Sequence, residues 1–251
     1  MRLKIIPYLF GILLAKRCKM KITYLENYSA LSEKAAQLIA SEVQKNPTLL
    51  FCAATGGSPT GMYAEMAKQK PLYAKMRVVK MDEWGIIPLT HPDSCETYLH
   101  THLVDPLAVS QDRYTTFDTA PEMVDTECER LNQFFQAKGP ADICILGLGK
   151  NGHIAFNEPA AVLNPDFHKA LLAESTIAHD PALSAGTEPA YGLCVGMEAI
   201  MQSKKIIFLV TGKGKQDAVS RIMERKIGTD CPASFLWMHP DVECLLDTSA
   251  I

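Results

Sequence analysis

The sequence lacks the paired cysteine spacing that typifies metal and thioredoxin-type sites. None of its eight cysteines forms a Cys-x-x-Cys pair, and most of them lie in apolar runs. A thiol in such a run packs as a small hydrophobic side chain. We therefore expect neither a disulfide framework nor a zinc site, and a reducing cytoplasm is the expected setting. The P-loop pattern G-x-x-x-x-G-K-[ST] is also absent, which excludes that nucleotide site.

Long hydrophobic runs and an excess of charge are missing as well. No stretch approaches 18 consecutive apolar residues, so we expect no membrane span. The 25 basic and 28 acidic side chains give a net charge of −3, and Lys and Arg are scattered rather than clustered. This distribution argues against a nucleic-acid partner. The 251 residues, 47% hydrophobic and 21% charged, are typical of a globular α/β protein of one or two domains.

The first 19 residues resemble a signal peptide in their basic start and their ten-residue apolar run from Ile5 to Leu14. That run is too short to cross a bilayer, and no small-residue cleavage site follows it. We therefore expect Met20 to be the working start, with residues 1–19 as an extension and residues 20–251 as a single domain. Export or membrane anchoring through residues 1–19 is the alternative.

The rest of the chain alternates apolar runs with segments of helical periodicity. Strands are predicted over residues 48–55, 77–82, 142–148, 204–211 and 242–246, and helices over 28–43, from 59 to about 68, 94–107, 122–137 and 215–225. This alternation predicts a doubly wound, mostly parallel sheet with helices on both faces, a Rossmann-like single domain. Residues 159–190, rich in Pro, Ala, Ser and Gly, are the weakest patterned stretch and the expected flap.

Four clusters of polar and glycine residues directly follow predicted strands. They occupy residues 55–58, 82–84, 147–153 and 211–215. In parallel sheets, ligands bind beyond the carboxyl ends of the strands. We therefore expect the four clusters to meet on one rim of the sheet.

The segment at residues 147–152 matches the dinucleotide pattern G-x-G-x-x-G. That pattern needs a helix to open within the glycines, with an acidic residue at the end of the next strand. Pro159 would stop such a helix early. We therefore disfavour a nicotinamide or flavin site.

Two glycine-rich loops favour a phosphorylated small molecule. Residues 55–61 join a strand to a helix through glycines and hydroxyls, and Pro59 suits the first helical turn. Such a turn offers backbone N–H groups to an anion, although a plain tight turn explains it equally well. Residues 212–215 repeat the arrangement and add the cations Lys213 and Lys215.

Carboxylates and one histidine supply candidate acid–base chemistry. Asp82 and Glu83 follow a strand, where a partly desolvated carboxylate can abstract a proton from carbon; a solvated acidic turn is the alternative. His153, with Glu158 to orient it, can transfer protons near neutral pH. His100 and His102 have no evident third ligand, so we expect no metal.

Taken together, the segments TGGSPTG, MDEWG, GLGKNGHIAFNEP, TGKGKQDA and PASFLW resemble the glucosamine-6-phosphate deaminase (isomerase) family. The resemblance covers about residues 20–248 and is closest to the galactosamine-6-phosphate branch. The related 6-phosphogluconolactonases share the TGGS and GH elements but not this combination of DEW with NEP. The resemblance implies conversion of an amino-sugar phosphate to a ketose phosphate with release of ammonia, without an organic cofactor.

The resemblance also implies roles for individual residues. Asp82 matches the base that moves a proton between C2 and C1, with Glu83 beside it, and His153 with its partner Glu158 matches the group that opens the sugar ring. The phosphate-binding positions are matched by Thr55, Gly56, Gly57, Ser58 and Lys215.

Two departures from the family pattern stand out. Asn151 occupies a position near His153 where the glucosamine enzymes usually have Asp, which makes it a further candidate for tuning the ring opening. No arginine occurs between Arg130 and Arg221, so Lys169 or Lys213 would have to replace the arginine of the family's flap. A lactone hydrolase and a sugar-phosphate sensor are the competing functions. The choice between gluco and galacto substrates stays open, as does the oligomeric state, for which a homo-oligomer is one option.

Overall fold

A seven-stranded parallel sheet forms the centre of the protein. The structure, a computed structural model, describes residues 20–85, 87–177 and 191–250. The predictions for residues 1–19, and for the part of the expected flap at residues 178–190, lie outside the described residues. The strands are β1 Met20–Leu25, β2 Leu50–Ala53, β3 Arg77–Lys80, β4 Asp82–Trp84, β5 Tyr114–Thr115, β6 Ile143–Gly147, β7 His168–Leu171, β8 Tyr191–Cys194, β9 Lys205–Val210 and β10 Val242–Asp247. The large sheet has the order β1-β10-β9-β6-β2-β3-β5, and β4-β8-β7 form a second, antiparallel sheet.

Helices connect the strands of the large sheet. The α-helices are α1 Tyr28–Lys45, α2 Gly57–Ala67, α3 Cys95–Leu99, α4 Asp105–Leu107, α5 Val124–Lys138, α6 Glu174–Ile177, α7 Met197–Gln202 and α8 Gln216–Met223. A π-helical segment, His100–Val104, joins α3 to α4. Shorter 3₁₀ turns span Lys70–Tyr73, Gln111–Arg113, Pro232–Met238 and Thr248–Ala250. Among the described residues, no helix combines the length and the hydropathy needed to cross a membrane.

The burial pattern explains why these segments adopt these elements. All four residues of β2 are buried, as are the last five of β9, because both faces of the sheet are covered. On α1 the residues Leu31, Ala35 and Ile39 are fully buried at helical spacing. The side chain of Asn27 caps this helix by accepting a 2.9 Å hydrogen bond from the Ala30 amide. The predicted fold class is thereby confirmed.

Successive strands are added first on one side of β2 and then on the other. This strand pairs with β3 on one side and with β6 on the other, in parallel on both. The chain runs outward from β2 through β3 to β5 and then returns to β6. This is a topological switch point, where the crossovers diverge and leave a crevice beyond the carboxyl ends of the strands.

The strand predicted over residues 77–82 is divided between the two sheets. The Met81 amide still donates to the Ala53 carbonyl of β2 at 3.2 Å, while the Met81 carbonyl accepts from Val195 at 3.0 Å. The chain therefore changes partner at Met81, and Asp82 begins β4, paired with Cys194 of β8. The prediction of one continuous strand was wrong, because the competing partner β8 lies more than a hundred positions along the chain.

Candidate active site

A cavity of about 260 Å³ lies beyond the carboxyl ends of β2, β3, β6 and β9, at the switch point. We call it the site cavity. It is lined by Ala54, Thr55, Gly56, Gly57, Ser58, Met81, Asp82, Trp84, Gly147, Leu148, Gly149, His153, Ala155, Phe156, Thr176 and Lys215. Each of the four clusters selected from the sequence contributes at least one residue to this lining.

Asp82 is a buried carboxylic acid at the wall of the site cavity. It is 5% exposed, and its Oδ1 has no hydrogen-bond partner among the described residues. Burial raises the pKa of Asp82 to about 7; the charge of Glu83 adds to the increase and that of Lys80 opposes it. A carboxyl group with this pKa can both take up and release a proton near neutral pH.

Glu83 points away from the site cavity into a closed hydrogen-bond network. Its side chain is fully buried, and Oε1 accepts hydrogen bonds from the amides of Trp84 at 2.9 Å and Cys95 at 2.8 Å. Oε2 accepts from the Glu96 amide at 2.7 Å and from Lys80 Nζ at 2.9 Å. Glu83 therefore ties β4 to the start of α3. The structure places this residue, which was predicted to lie beside a catalytic base at Asp82, behind Asp82 and outside the lining of the cavity.

Lys80 supplies the charge that makes this network possible. Its fully buried ammonium lies 2.9 Å from Glu83 and 2.6 Å from Glu96, and 4.5 Å from the centre of the Phe117 ring. Burial alone would raise the pKa of Glu96, but Lys80 and two hydroxyl donors outweigh it, so this pKa is lowered. The sequence analysis did not select Lys80; its one signal is a lysine that directly follows Val78 and Val79 in a strand.

His153 faces a carboxylate that is held by two further donors. Its Nδ1 lies 3.2 Å from Glu158 Oε2 without the geometry of a hydrogen bond, and this contact is an ion pair only when the imidazole is protonated. Asn151 Nδ2 donates to the same oxygen at 2.7 Å, and Thr176 Oγ1 donates to Oε1 at 2.5 Å. Burial would raise the pKa of Glu158, but His153, Thr176 and Asn151 outweigh it and lower the pKa to about 2. Glu158 is thus a carboxylate anion at neutral pH that lies beside the imidazole.

The turn that carries His153 requires glycine at two positions. Gly152 has a φ of +92°, in the left-handed region. A Cβ on Gly149 would overlap the His153 ring, so this ring packs directly against the backbone. The Gly149 amide donates to the His153 carbonyl at 2.9 Å, and His153 N donates to Asn151 Oδ1 at 3.1 Å. No helix opens within these glycines, so the segment lacks the conformation of a dinucleotide loop.

The opposite end of the site cavity presents two helix N-termini. The N-cap residues of α2 and α8 are Gly56 and Lys215, and neither makes a side-chain capping hydrogen bond. Ser58 Oγ and Thr211 Oγ1 lie 2.8 Å apart and join the two loops. First-turn amides without a capping side chain, combined with the positive ends of the helix dipoles, form a site for an anion such as phosphate.

A second cavity of about 540 Å³ continues from this anion-binding end, and we call it the lysine cavity. It is lined by Tyr28, Gly57, Ser58, Lys150, Thr211, Gly212, Lys213, Lys215, Asp247 and Ser249. It shares Gly57, Ser58 and Lys215 with the site cavity and contains neither Asp82 nor His153. Burial and the neighbouring charge of Lys150 lower the pKa of Lys215 to about 8.

Other residues selected from the sequence lie elsewhere. The ammonium of Lys169 sits 4.2 Å above the Tyr191 ring, and Lys169 lines neither cavity. His100 lies 2.9 Å from Asp105. Within the described ranges, no group of three or more His, Cys, Asp or Glu side chains is arranged to hold a metal ion.

Besides Lys80, two further contributors to the site escaped the sequence analysis. Thr176 lies in the unpatterned stretch and carries no sequence signal. Phe156 stacks on Trp84 at a centroid distance of 4.3 Å and forms an apolar wall. The apolar residues after His153 are visible in the sequence, but the contact between Phe156 and Trp84 is not.

Comparison with known proteins places the chain in a family. The model of the family described as "Glucosamine-6-phosphate isomerases/6-phosphogluconolactonase" matches residues 26–245. The chain belongs to this family. It is 39% identical over 227 residues to a protein of Escherichia coli strain K12 named "Putative deaminase AgaI", covering 89% of this chain and 90% of the relative. It is 33% identical to a glucosamine-6-phosphate deaminase of Clostridium botulinum, covering 92% of this chain and 97% of the relative.

Solved structures show the same relationship within the family. A monomeric glucosamine-6-phosphate deaminase of the NagB superfamily superposes with a TM-score of 0.85 at 30% identity, covering 91% of this chain and 98% of its own. A 6-phosphogluconolactonase from Trypanosoma brucei superposes with a TM-score of 0.73 at 19% identity, covering 91% and 96%. The second likeness shows the fold alone. The family predicted from the sequence is confirmed, and the deaminase relatives are nearer than this lactonase.

Proposed function

We propose that the protein is a deaminase that converts galactosamine-6-phosphate or glucosamine-6-phosphate to the ketose 6-phosphate and ammonia. One observation carries the proposal: an ionisable buried acid, Asp82, lines the same small cavity as His153 and an anion-binding pair of helix N-termini. Membership of the deaminase-containing family supports it, as does the deaminase identity of several relatives.

The phosphate group anchors the substrate in this scheme. The amides at the start of α2 (Gly56 to Ser58) and the ammonium of Lys215 face the phosphate oxygens. The sugar then extends from the phosphate toward Asp82 and His153, with the Trp84–Phe156 wall beside it. Binding of the phosphate at one end positions C1 and C2 beside Asp82 and His153 before the chemical steps begin.

His153 opens the sugar ring. It moves a proton from the C1 hydroxyl to the ring oxygen, which breaks the bond between C1 and that oxygen and gives the open-chain aldehyde. Glu158, ionised with a pKa of about 2, stabilises the imidazolium that forms. Asn151 and Thr176 hold Glu158 in place through their hydrogen bonds.

Asp82 then carries out the isomerisation. It removes the proton from C2 as the C1 carbonyl oxygen takes up a proton, which gives an enolamine between C1 and C2. It then returns its proton to C1 while the amine loses one, which leaves an imine at C2. Water adds to C2, the carbon–nitrogen bond breaks, and the products are the ketose phosphate and ammonia. Oδ1 of Asp82, which has no hydrogen-bond partner in the described part of the chain, is available for this transfer, while Glu83 and Lys80 hold β4 from behind. The amine and carbonyl of the substrate carry the electrons, so the scheme uses no organic cofactor and no metal.

The test is a paired ammonia assay. Purified protein is incubated separately with galactosamine-6-phosphate, glucosamine-6-phosphate and 6-phosphogluconolactone, and both ammonia and lactone hydrolysis are measured. The proposal expects ammonia from at least one amino sugar and loss of that activity in Asp82→Asn. Lactone hydrolysis that survives Asp82→Asn would instead identify a lactonase, and binding of sugar phosphate without turnover would identify a sensor.

The same assay compares the two amino sugars, which differ in the configuration at C4. The larger kcat/KM identifies the substrate. The oligomeric state, for which a homo-oligomer is one option, is measured on the same preparation by light scattering. The cytoplasmic setting stays a prediction from the cysteine pattern.

A further inference from the structure

The lysine cavity contains a cation that the proposed function does not use. Lys150 lines this cavity together with Lys215 and the loop at Gly212. A Cβ built on Gly214 would lie 3.5 Å from Lys150 Cε and 3.8 Å from Lys150 Nζ. The ammonium of Lys150 therefore reaches across from the β6 loop to the loop that carries Lys215.

The charge of a bound phosphate favours a second cation at the anion-binding end of the site cavity. A phosphate monoester carries a charge of about −1.5 to −2 at neutral pH, whereas Lys215 contributes at most one positive charge. Lys150 is close enough for its charge to affect Lys215 directly. Two like charges held near each other in the unliganded protein become a favourable pair of ligands once a dianion lies between them.

The position of Lys150 in the chain gives it a second consequence. It precedes Asn151, whose side chain binds both Glu158 at 2.7 Å and the His153 backbone amide at 3.1 Å. Lys213 also lines the lysine cavity, but it lies on the same loop as Lys215 and cannot join the two loops. A ligand bound by Lys150 would therefore fix the turn that carries His153.

We propose that Lys150 is a phosphate ligand that couples binding of the substrate phosphate to the placement of His153. The inference rests on the proposed function for its catalytic part, whereas its binding part concerns phosphate alone. Contacts to a non-reacting phosphate then contribute to catalysis by orienting the reacting groups. Loss of Lys150 should lower kcat as well as raise KM, unlike the loss of a simple anchor.

The experiment uses the full chain and inorganic phosphate as the probe. Phosphate is titrated calorimetrically into wild type, Lys150→Met, Lys150→Arg and Lys45→Met. The last is a matched control, since Lys45 is an exposed lysine that pairs with Glu42 at the C-terminal end of α1. We expect Lys150→Met to bind phosphate roughly tenfold or more weakly, because a charge-assisted hydrogen bond is lost, while the arginine variant and the control stay within about threefold of wild type.

Turnover separates this inference from the proposed function. With the preferred amino sugar, Lys150→Met should show both a higher KM and a kcat lowered by roughly tenfold, with an unchanged circular dichroism spectrum. Wild-type phosphate affinity in Lys150→Met, or a wild type that does not bind phosphate, would overturn the role of Lys150 even if ammonia is released. Phosphate binding that depends on Lys150, without ammonia from either sugar, would instead overturn the deaminase and leave the binding role supported. An unchanged kcat would refute the coupling to His153.

Discussion

Asn151 Nδ2 donates a 2.7 Å hydrogen bond to the same Glu158 oxygen that faces His153 Nδ1. The amide therefore does two tasks at once, because its own oxygen also holds the His153 backbone. A carboxylate at this position would keep the second contact but not the first. The family resemblance identifies Asn151 as a departure. The structure shows that its amide contributes an N–H donor to Glu158, and this donor does not ionise at neutral pH.

Asn151→Asp should therefore destabilise the protein through like-charge repulsion with Glu158. The pKa of Glu158, about 2 in the wild type, should rise, because a donor is replaced by an anion. We expect a loss of about 1–3 kcal/mol in the free energy of unfolding at pH 7. The loss should shrink toward pH 4, where one of the two carboxyl groups binds a proton. Urea denaturation at both pH values measures this, and Asn164→Asp is the control, because this exposed side chain accepts a hydrogen bond from the Asp166 amide that aspartate can keep. An equal loss at both pH values would rule out repulsion as the cause.

Asp82→Asn should abolish ammonia release and yet stabilise the folded protein above neutral pH. The pKa of Asp82 is raised from 3.8 to about 7, so the folded state favours the protonated form. Stability conferred by this group is present below pH 4 and is lost as pH rises toward 7, because the unfolded state ionises first. Asparagine does not ionise, so the variant should gain a few kcal/mol at pH 8 and nothing at pH 4, at about 1.4 kcal/mol for each pKa unit. Denaturation at the two pH values tests this, and Asp93→Asn, an exposed carboxylate, should show no such gain.

Lys215→Ala should raise KM far more than it lowers kcat. Loss of a charged donor to phosphate corresponds to an increase in KM of roughly tenfold to a hundredfold. Because the pKa of Lys215 is lowered to about 8, the wild-type KM should rise as pH increases beyond 8 and the ammonium loses its proton. Lys215→Ala should lack this increase, and Lys215→Arg should retain a low KM to higher pH. Equal effects on KM and kcat in Lys215→Ala would contradict a simple anchor.

Thr176→Val should lower kcat through Glu158 without affecting phosphate binding. The hydroxyl donates a 2.5 Å hydrogen bond to Glu158 Oε1, and valine has a similar shape but no donor. We expect kcat to fall roughly threefold to thirtyfold, because one charge-assisted hydrogen bond to the orienting carboxylate is lost. Thr176→Ser keeps the hydroxyl and should retain most of the activity. Phosphate titration of Thr176→Val should match the wild type; weaker binding there would indicate a wider rearrangement.

The placement of Asp82, His153, Ser58 and Lys215 around one cavity follows from a simple rule about parallel sheets. The carboxyl ends of the strands share an edge, so residues directly after strands converge whatever their separation in sequence. The same kind of local geometry separates Asp82 from Glu83. Adjacent residues of a strand point to opposite faces, so two neighbouring carboxylates of a strand cannot both face the cavity.

Other features depend on contacts that local patterns do not encode. The change of sheet at Met81 requires β8. The buried positive charge of Lys80 requires a carboxylate partner, and Glu96 of α3 supplies one. Thr176 lies in a stretch without periodicity. Lys150 occupies a variable position of the G-x-G-x-x-G pattern, and its approach to Gly214 arises only when β6 and β9 pair.

The hydrogen bond between Ser58 and Thr211 joins positions 153 residues apart in the chain. The anion-binding end of the cavity therefore forms only after β2, β6 and β9 have assembled. Long-range closure of this kind is slow, because chain entropy is lost before the contact forms. Phosphate should accordingly bind the fully assembled sheet in preference to any intermediate, which makes phosphate binding a measure of complete folding as well as of the site itself.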